Sequence, residues 1–277
     1  MTPAEAFVFC ESTVRHVDPD RYFSTLFAPA DKRPPLFALY AFNHEIARAS
    51  QGAREAAISE IRLQWWRDAV DEARGGQPRA HPVAVALSEV LSRTSLDLTD
   101  LDGLMSAREP EISIVPFATL AAMESQARAT SSALMQMAAR VLDSTRDTTE
   151  LTREAGIAYG LTGMLRSVPF QAARGKLFVP ENLLAEESVT PSDALAGKSP
   201  AALRRVVDKV SACAIQHLVH GKTLALPRTI LPAVLPAALV PAYHARLTNS
   251  DPLRATRDLL QVRKQFILLR AALRQHL

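Results

Sequence analysis

Prolines mark where the helices of this chain begin. The 277 residues include 18 prolines against 10 glycines. Asp18-Pro19, Pro34-Pro35, Ser199-Pro200 and Asp251-Pro252 each place a proline where a first-turn N–H would have no partner anyway, several with a capping residue ahead. Thr2 and Glu5 form a capping box around Pro3. Between these marks run segments of helical periodicity, at about 3–16, 19–27, 35–50, 53–74, 82–93, 99–108, 116–142, 149–174, 200–223, 229–247 and 252–275. No stretch alternates with period two between turn signals, so no strand is expected. The predicted fold class is all-α, as a single domain spanning 1–277.

Composition narrows the function classes. Hydrophobic residues make up 48% of the chain, enough for one substantial core. Aromatics are only 6%, while Ala and Leu abound, which favours helix packing. A net charge of +3 falls short of the clustered excess of a nucleic-acid binder. Cys10 and Cys213 are too few for a disulfide framework and point to a reducing compartment. The N-terminus reads as a folded helix, not a signal peptide, and is too acidic for a transit peptide, so a cytoplasmic location is expected. "LPRTILPAVLPAALVPAYHARL" is apolar, but Arg228 and Pro227, Pro232, Pro236 and Pro241 make it a kinked core helix rather than a membrane span.

Four clusters invite a chemical reading. "AFNHEIARAS" opens like the zinc motif H-E-x-x-H, with His44 and Glu45, but Arg48 stands where the second histidine would bind. Cys213, His217 and His220 share a helix face. Three ligands from one helix seldom converge and no further acid is evident, so pocket lining is expected and no metal. Asp68 and Asp71, beside Trp65 and Trp66, could anchor magnesium, yet the helix reads as a solvated charged face. Leu259, Val262, Phe266, Leu269 and Leu273 form a stripe flanked by Arg263, Arg270 and Arg274. It is expected to face the core, the alternative being contact with anionic lipid or an acidic partner. The irregular piece Arg174–Pro200 is long enough to act as a lid or site rim.

Three stretches in register resemble the squalene/phytoene synthase family, all-helical enzymes that join two prenyl diphosphates head to head. "PPLFALYAFNHEIARA" resembles the first aspartate helix, usually near "LYAFCRxxDDxxD". "WWRDAVDEARGGQPRAHPVAVAL" is similar to the following "WWRxEL…HPVxxAL". "AGIAYGLTGMLRSVPFQAARGKLFVPENLL" resembles the second aspartate helix and its loop. The resemblance implies an isoprenoid (terpenoid) synthase-like helical bundle around a central cavity. It also implies a mechanism in which facing carboxylates hold magnesium on the substrate diphosphates.

Laid on that pattern, the first-motif aspartates fall at Ala47, Arg48 and Gln51. The second-motif Asn, Asp and Asp fall at Gly163, Ser167 and Gln171, with the arginine kept as Arg166. The departures resemble a non-catalytic branch of the family that includes the mitochondrial assembly factor for respiratory complex I. What the resemblance implies is a pseudoenzyme with no catalytic or metal-binding residue, acting as a binding or assembly factor. Its expected partners are a respiratory-chain subunit or assembly protein, a lipid or isoprenoid in the cavity, and the inner-membrane surface. Asn43, His44, Arg48, Arg166 and Arg174 are the candidates for an anionic head group. The alternative is an active prenyltransferase, which alone would require magnesium as cofactor.

Overall fold

The computed structural model describes residues 1–51, 56–112, 116–255 and 257–277; the side chain of Gln51 falls outside that description. Among the described residues there are fifteen α-helices and no strand. In chain order they are α1 (Pro3–Val17), α2 (Pro19–Thr25), α3 (Arg33–Gln51), α4 (Ala56–Arg74), α5 (Pro82–Arg93), α6 (Leu98–Ser106), α7 (Leu120–Ala127) and α8 (Ala133–Leu142). There follow α9 (Thr149–Ala172), α10 (Glu181–Glu186), α11 (Pro191–Leu195), α12 (Pro200–Thr223), α13 (Leu231–Val234), α14 (Val240–Leu247) and α15 (Gln261–Arg274).

The helix starts follow from local chemistry. Glu5 N donates to Thr2 Oγ1 and Thr2 N donates to the Glu5 carboxylate, closing the expected capping box. Asp18 accepts from Arg21 N ahead of Pro19, so α2 begins at once after α1. A π turn over Arg128–Ser132 joins α7 and α8 into one rod, an irregularity that frequently accompanies functional sites.

One core gathers Leu36, Leu39, Phe42 and Ile46 of α3 with Leu63 and Trp66 of α4 and Val83 and Leu87 of α5. A second joins Ile157, Leu161 and Leu165 of α9 to Val206, Val210 and Ala214 of α12. Each large side chain buried this way contributes about 1.5–3 kcal/mol.

Several expectations are corrected. The stretch Arg174–Pro200 is not irregular throughout. It holds α10 and α11, the latter capped by Thr190 accepting from Asp193 N ahead of Pro191. Asp251-Pro252 starts a turn, not a helix, because Asp251 Oδ1 takes the Leu253 N–H and its carbonyl takes the Arg254 N–H. Helix α15 therefore begins only at Gln261. Residues 53–55 of the expected fourth helix lie outside the described residues.

The span 228–247 is long and apolar enough to cross a membrane, yet 67% of its 18-residue apolar window is buried within the fold. It is the kinked core segment expected, broken into α13, a 3-10 turn and α14 at its prolines.

The C-terminal stripe is the largest correction. Val262, Phe266, Leu269 and Leu273 are exposed, by 76%, 65%, 47% and 77%; of the five stripe residues Leu259 alone is buried. The inward face is Lys264, Leu268 and Ala271. Lys264 decides this rotation, since its ammonium reaches Asp20 and Asp258 and carries its side of the helix inward with it.

Candidate functional site: a charge-paired cavity

A cavity of about 420 Å³ lies between α1–α2, the π turn, α9 and the segment that leads into α15. Its walls hold four basic side chains (Arg21, Arg108, Arg166 and Lys264) and four acidic ones (Asp18, Asp20, Glu111 and Asp258). Every cation has an acid. Arg21 Nη1 sits 2.6 Å from Asp18, and Arg108 Nη1 2.8 Å from Glu111. Lys264 Nζ lies 2.7 Å from Asp20 and 2.6 Å from Asp258. Arg166 lies 3.5 Å from Asp20 and 3.1 Å from Asp258, with its guanidinium 3.9 Å above the Tyr243 ring.

Asp20 is the hub. It is 2% exposed and also accepts from Tyr159 at 3.0 Å and Tyr243 at 2.7 Å. Burial, and then the Asp20 charge, push both phenols well above their ordinary pKa, so they act as neutral donors. Burial alone would raise the Asp258 carboxyl. The Lys264 ammonium and Arg166 outweigh it and hold Asp258 below the usual carboxylate range.

A second, mostly apolar lobe of about 400 Å³ shares Glu111, Met164, Ser167 and Gln171 with the first. Pro110, Pro116, Phe117, Ala118, Ala122, Gln126 and Phe178 complete its walls. A polar lobe sharing a wall with a mostly apolar one suits an amphiphile. In the polar lobe, Ser131 Oγ and Arg108 Nε are buried without a hydrogen-bond partner, which is unusual for buried polar atoms.

The match to known proteins is decided by coverage. The profile described as squalene/phytoene synthase matches residues 14–265. The chain belongs to the squalene/phytoene synthase family. It is similar to the NADH dehydrogenase (ubiquinone) complex I, assembly factor 6 of Bos taurus, 27% identical over 88% of this chain and 74% of that one. It is also similar to the phytoene synthase of Arthrospira platensis, 23% identical over 71% of this chain and 68% of that protein. A solved dehydrosqualene synthase in complex with ligand superposes with a TM-score of 0.82 at 16% identity, covering 99% of this chain and 98% of that one. At that identity the likeness concerns the fold.

In this family member the cavity wall includes Asn43, Gly163, Arg166, Ser167 and Gln171. Asn43 accepts from Arg108 Nη2 at 2.9 Å. The expected anion-binding role of Arg48 is corrected: it points to solvent and pairs with Glu45 at 3.7 Å. Arg174 is likewise exposed, lying over the Phe170 ring at 4.1 Å. His44 and Ala47 do not line the cavity. Burial lowers the His44 pKa, which further disfavours a cationic role. The Gln51 side chain lies outside the described residues.

Asp68 lies in a surface network with Gln64 and Arg79, the solvated face expected. Asp18, Asp20, Asp258 and Lys264 were not among the expected site residues. Asp18 stood only as the capping residue before Pro19, and Lys264 sits off the apolar stripe. The one signal was an acid at both flanks of Pro19.

Outside the cavity, α7, α9 and α12 bring another group together. Cys213 and His217 meet Glu124, contrary to the expectation that no further acid was near. Cys213 Sγ donates to Glu124 Oε1 at 2.8 Å and His217 Nε2 lies 3.1 Å from the same oxygen. His217 Nδ1 faces Glu154 at 2.7 Å. His220 is not among the donors around Glu124, but its Nδ1 lies 3.4 Å from the same Glu154 oxygen that faces His217.

Proposed function

We propose that this chain no longer joins prenyl diphosphates and instead serves as an assembly factor for respiratory complex I, holding a neutral-headed lipid or isoprenoid in its two-lobed cavity. The carrying observation is the charge balance of the polar lobe, four cations against four acids, each cation paired within 2.6–3.5 Å. Magnesium diphosphate needs carboxylates free to bind metal, and a bare diphosphate needs cations free to bind phosphate. This lobe offers neither. Gly163, Ser167 and Gln171 present no carboxylate from α9, so the donor set does not fit magnesium. A neutral head with hydrogen-bonding groups disturbs no ion pair, and the apolar lobe accepts its chain.

The assembly role draws on the likeness to the complex I assembly factors, which extends over more of this chain than the likeness to phytoene synthases. Deleting the gene in its own host is expected to reduce assembled complex I on native gels, with recovery on re-expression. Unchanged complex I would overturn the role.

Helix α15 supports peripheral attachment at the inner membrane. Its exposed Val262, Phe266, Leu269 and Leu273 are flanked by Arg263, Arg270 and Arg274, and the helix carries no acid. An apolar face edged with arginine matches an anionic bilayer surface. The protein is expected to co-sediment with vesicles containing an anionic phospholipid and not with purely zwitterionic ones. Phe266→Glu with Leu273→Glu should abolish most of that binding. Equal sedimentation of the double variant would count against this attachment.

A further inference from the structure

We propose that Cys213 Sγ, His217 Nε2 and the Glu124 carboxylate form a binding site for a divalent transition metal of the zinc type, separate from the family cavity. The three donor atoms lie within 4.8 Å of one another and come from two helices. Cys213 and His217 are four residues apart on α12, one turn along the same face, while Glu124 approaches from α7. Their partial exposure leaves an entry path, since the side chains of His217 and Glu124 are 21% and 26% accessible.

The surroundings are those of a built site. A metal-bound histidine commonly donates its other N–H to a carboxylate, which fixes the tautomer and aims the ring. Glu154, on α9 with its side chain 5% exposed, occupies that position at 2.7 Å from Nδ1. Arg153 Nε in turn holds Glu154 at 3.0 Å. With Cys213 as thiolate, the donors and Glu154 carry three negative charges, offset only in part by Arg153 on Glu154 and Arg128 near Glu124, which leaves the group net negative and favours a dication.

Donor chemistry selects the metal. One sulfur, one imidazole and one carboxylate suit zinc or cobalt, whereas magnesium and calcium demand oxygen throughout. On entry the Cys213 S–H proton leaves to solvent as the metal–sulfur bond forms. Sulfur and oxygen around a tetrahedral ion stand about 3.5 Å apart, so Cys213 and Glu124 separate by well under 1 Å from their 2.8 Å hydrogen bond. The fourth position is left to water or to a donor from a partner protein. A cysteine nucleophile is the poorer reading of the same atoms. The thiol donates to Glu124 rather than to His217, and burial with the Glu124 charge pushes its pKa up to about 12.

The test is a cobalt titration of the full chain stripped of metal by chelator. One ion per chain should bind, with a thiolate-to-cobalt charge-transfer band that added zinc removes. Cys213→Ser should lose the band and Cys10→Ser should keep it. Glu154→Gln should keep the band at about 10–100-fold weaker affinity. Glu124→Gln, with circular dichroism to verify folding, provides a second ligand variant and should weaken binding by at least as much. A folded wild-type protein with no band, or a band that survives Cys213→Ser, would overturn the site.

Discussion

Replacing Gly156 by alanine is expected to lower the unfolding free energy by about 1–2 kcal/mol, a net of up to about 3 kcal/mol of overpacking strain and the ~1 kcal/mol that alanine gains over glycine in a helix. Helix α9 crosses the rod of α7 and α8 so closely that a Cβ at Gly156 would stand 2.3 Å from Ser132 Cα and 2.4 Å from Ser132 Oγ. A backbone atom cannot swing aside, so one of the two helices must shift. The same helix carries two graded comparisons. At Gly160 the new atom would meet Ser131 Cβ at 2.9 Å and Ala127 Cβ at 3.0 Å, so Gly160→Ala should cost less. Gly163 has nothing within 4 Å, because its α-carbon faces the cavity. Gly163→Ala should leave stability unchanged or raise it by up to about 1 kcal/mol. Urea unfolding of the three variants checks the order. Equal losses at Gly156 and Gly163 would place the crossing elsewhere.

Asp20→Ala carries the largest expected loss, about 3–5 kcal/mol, because it strands a buried charge. Lys264 is 1% exposed, and without Asp20 its ammonium has only Asp258, whose side chain is 47% exposed. Arg166 loses a partner as well, and the Tyr159 and Tyr243 hydroxyls lose their acceptor. The desolvation cost of the cation persists while its compensation is gone. Asp20→Leu combined with Lys264→Met removes both buried charges, and should recover a large part of the loss in the same urea measurement. A single variant as stable as the wild type would mean that Asp20 does not organise the cavity.

These two sites show where the sequence was legible. Helix positions were written locally, in caps such as Thr2 and Asp18, in first-turn prolines and in apolar periodicity, so α1, α5, α9 and α12 are found where expected. The α9 residues Gly163, Ser167 and Gln171, placed only by the resemblance to the second aspartate helix, line the cavity. The rotation of α15 was not legible. Its apolar stripe has the pattern of a core face, but a long-range ion pair from Lys264 to Asp20 turns the other face inward.

The cavity's acids were hidden for the same reason. Asp20 lies more than two hundred residues from Lys264, and only the fold reveals that the two pair, while Asp18 is neutralised locally by Arg21. Arg48 misled in the opposite direction. Its motif position suggested a cavity cation, whereas it lies 70% exposed beside Glu45 at the end of α3. The Glu124–Cys213–His217 group combines both effects, since helix spacing paired the last two residues and a separate helix supplied the first.

If pairing every cavity cation with an acid closes this squalene/phytoene synthase fold to prenyl diphosphates, purified protein with magnesium will not ionise them. Inorganic diphosphate release from farnesyl or geranylgeranyl diphosphate measures this. No release above the protein-free control is expected. Release that requires folded protein and is lost in Arg166→Ala would contradict the account.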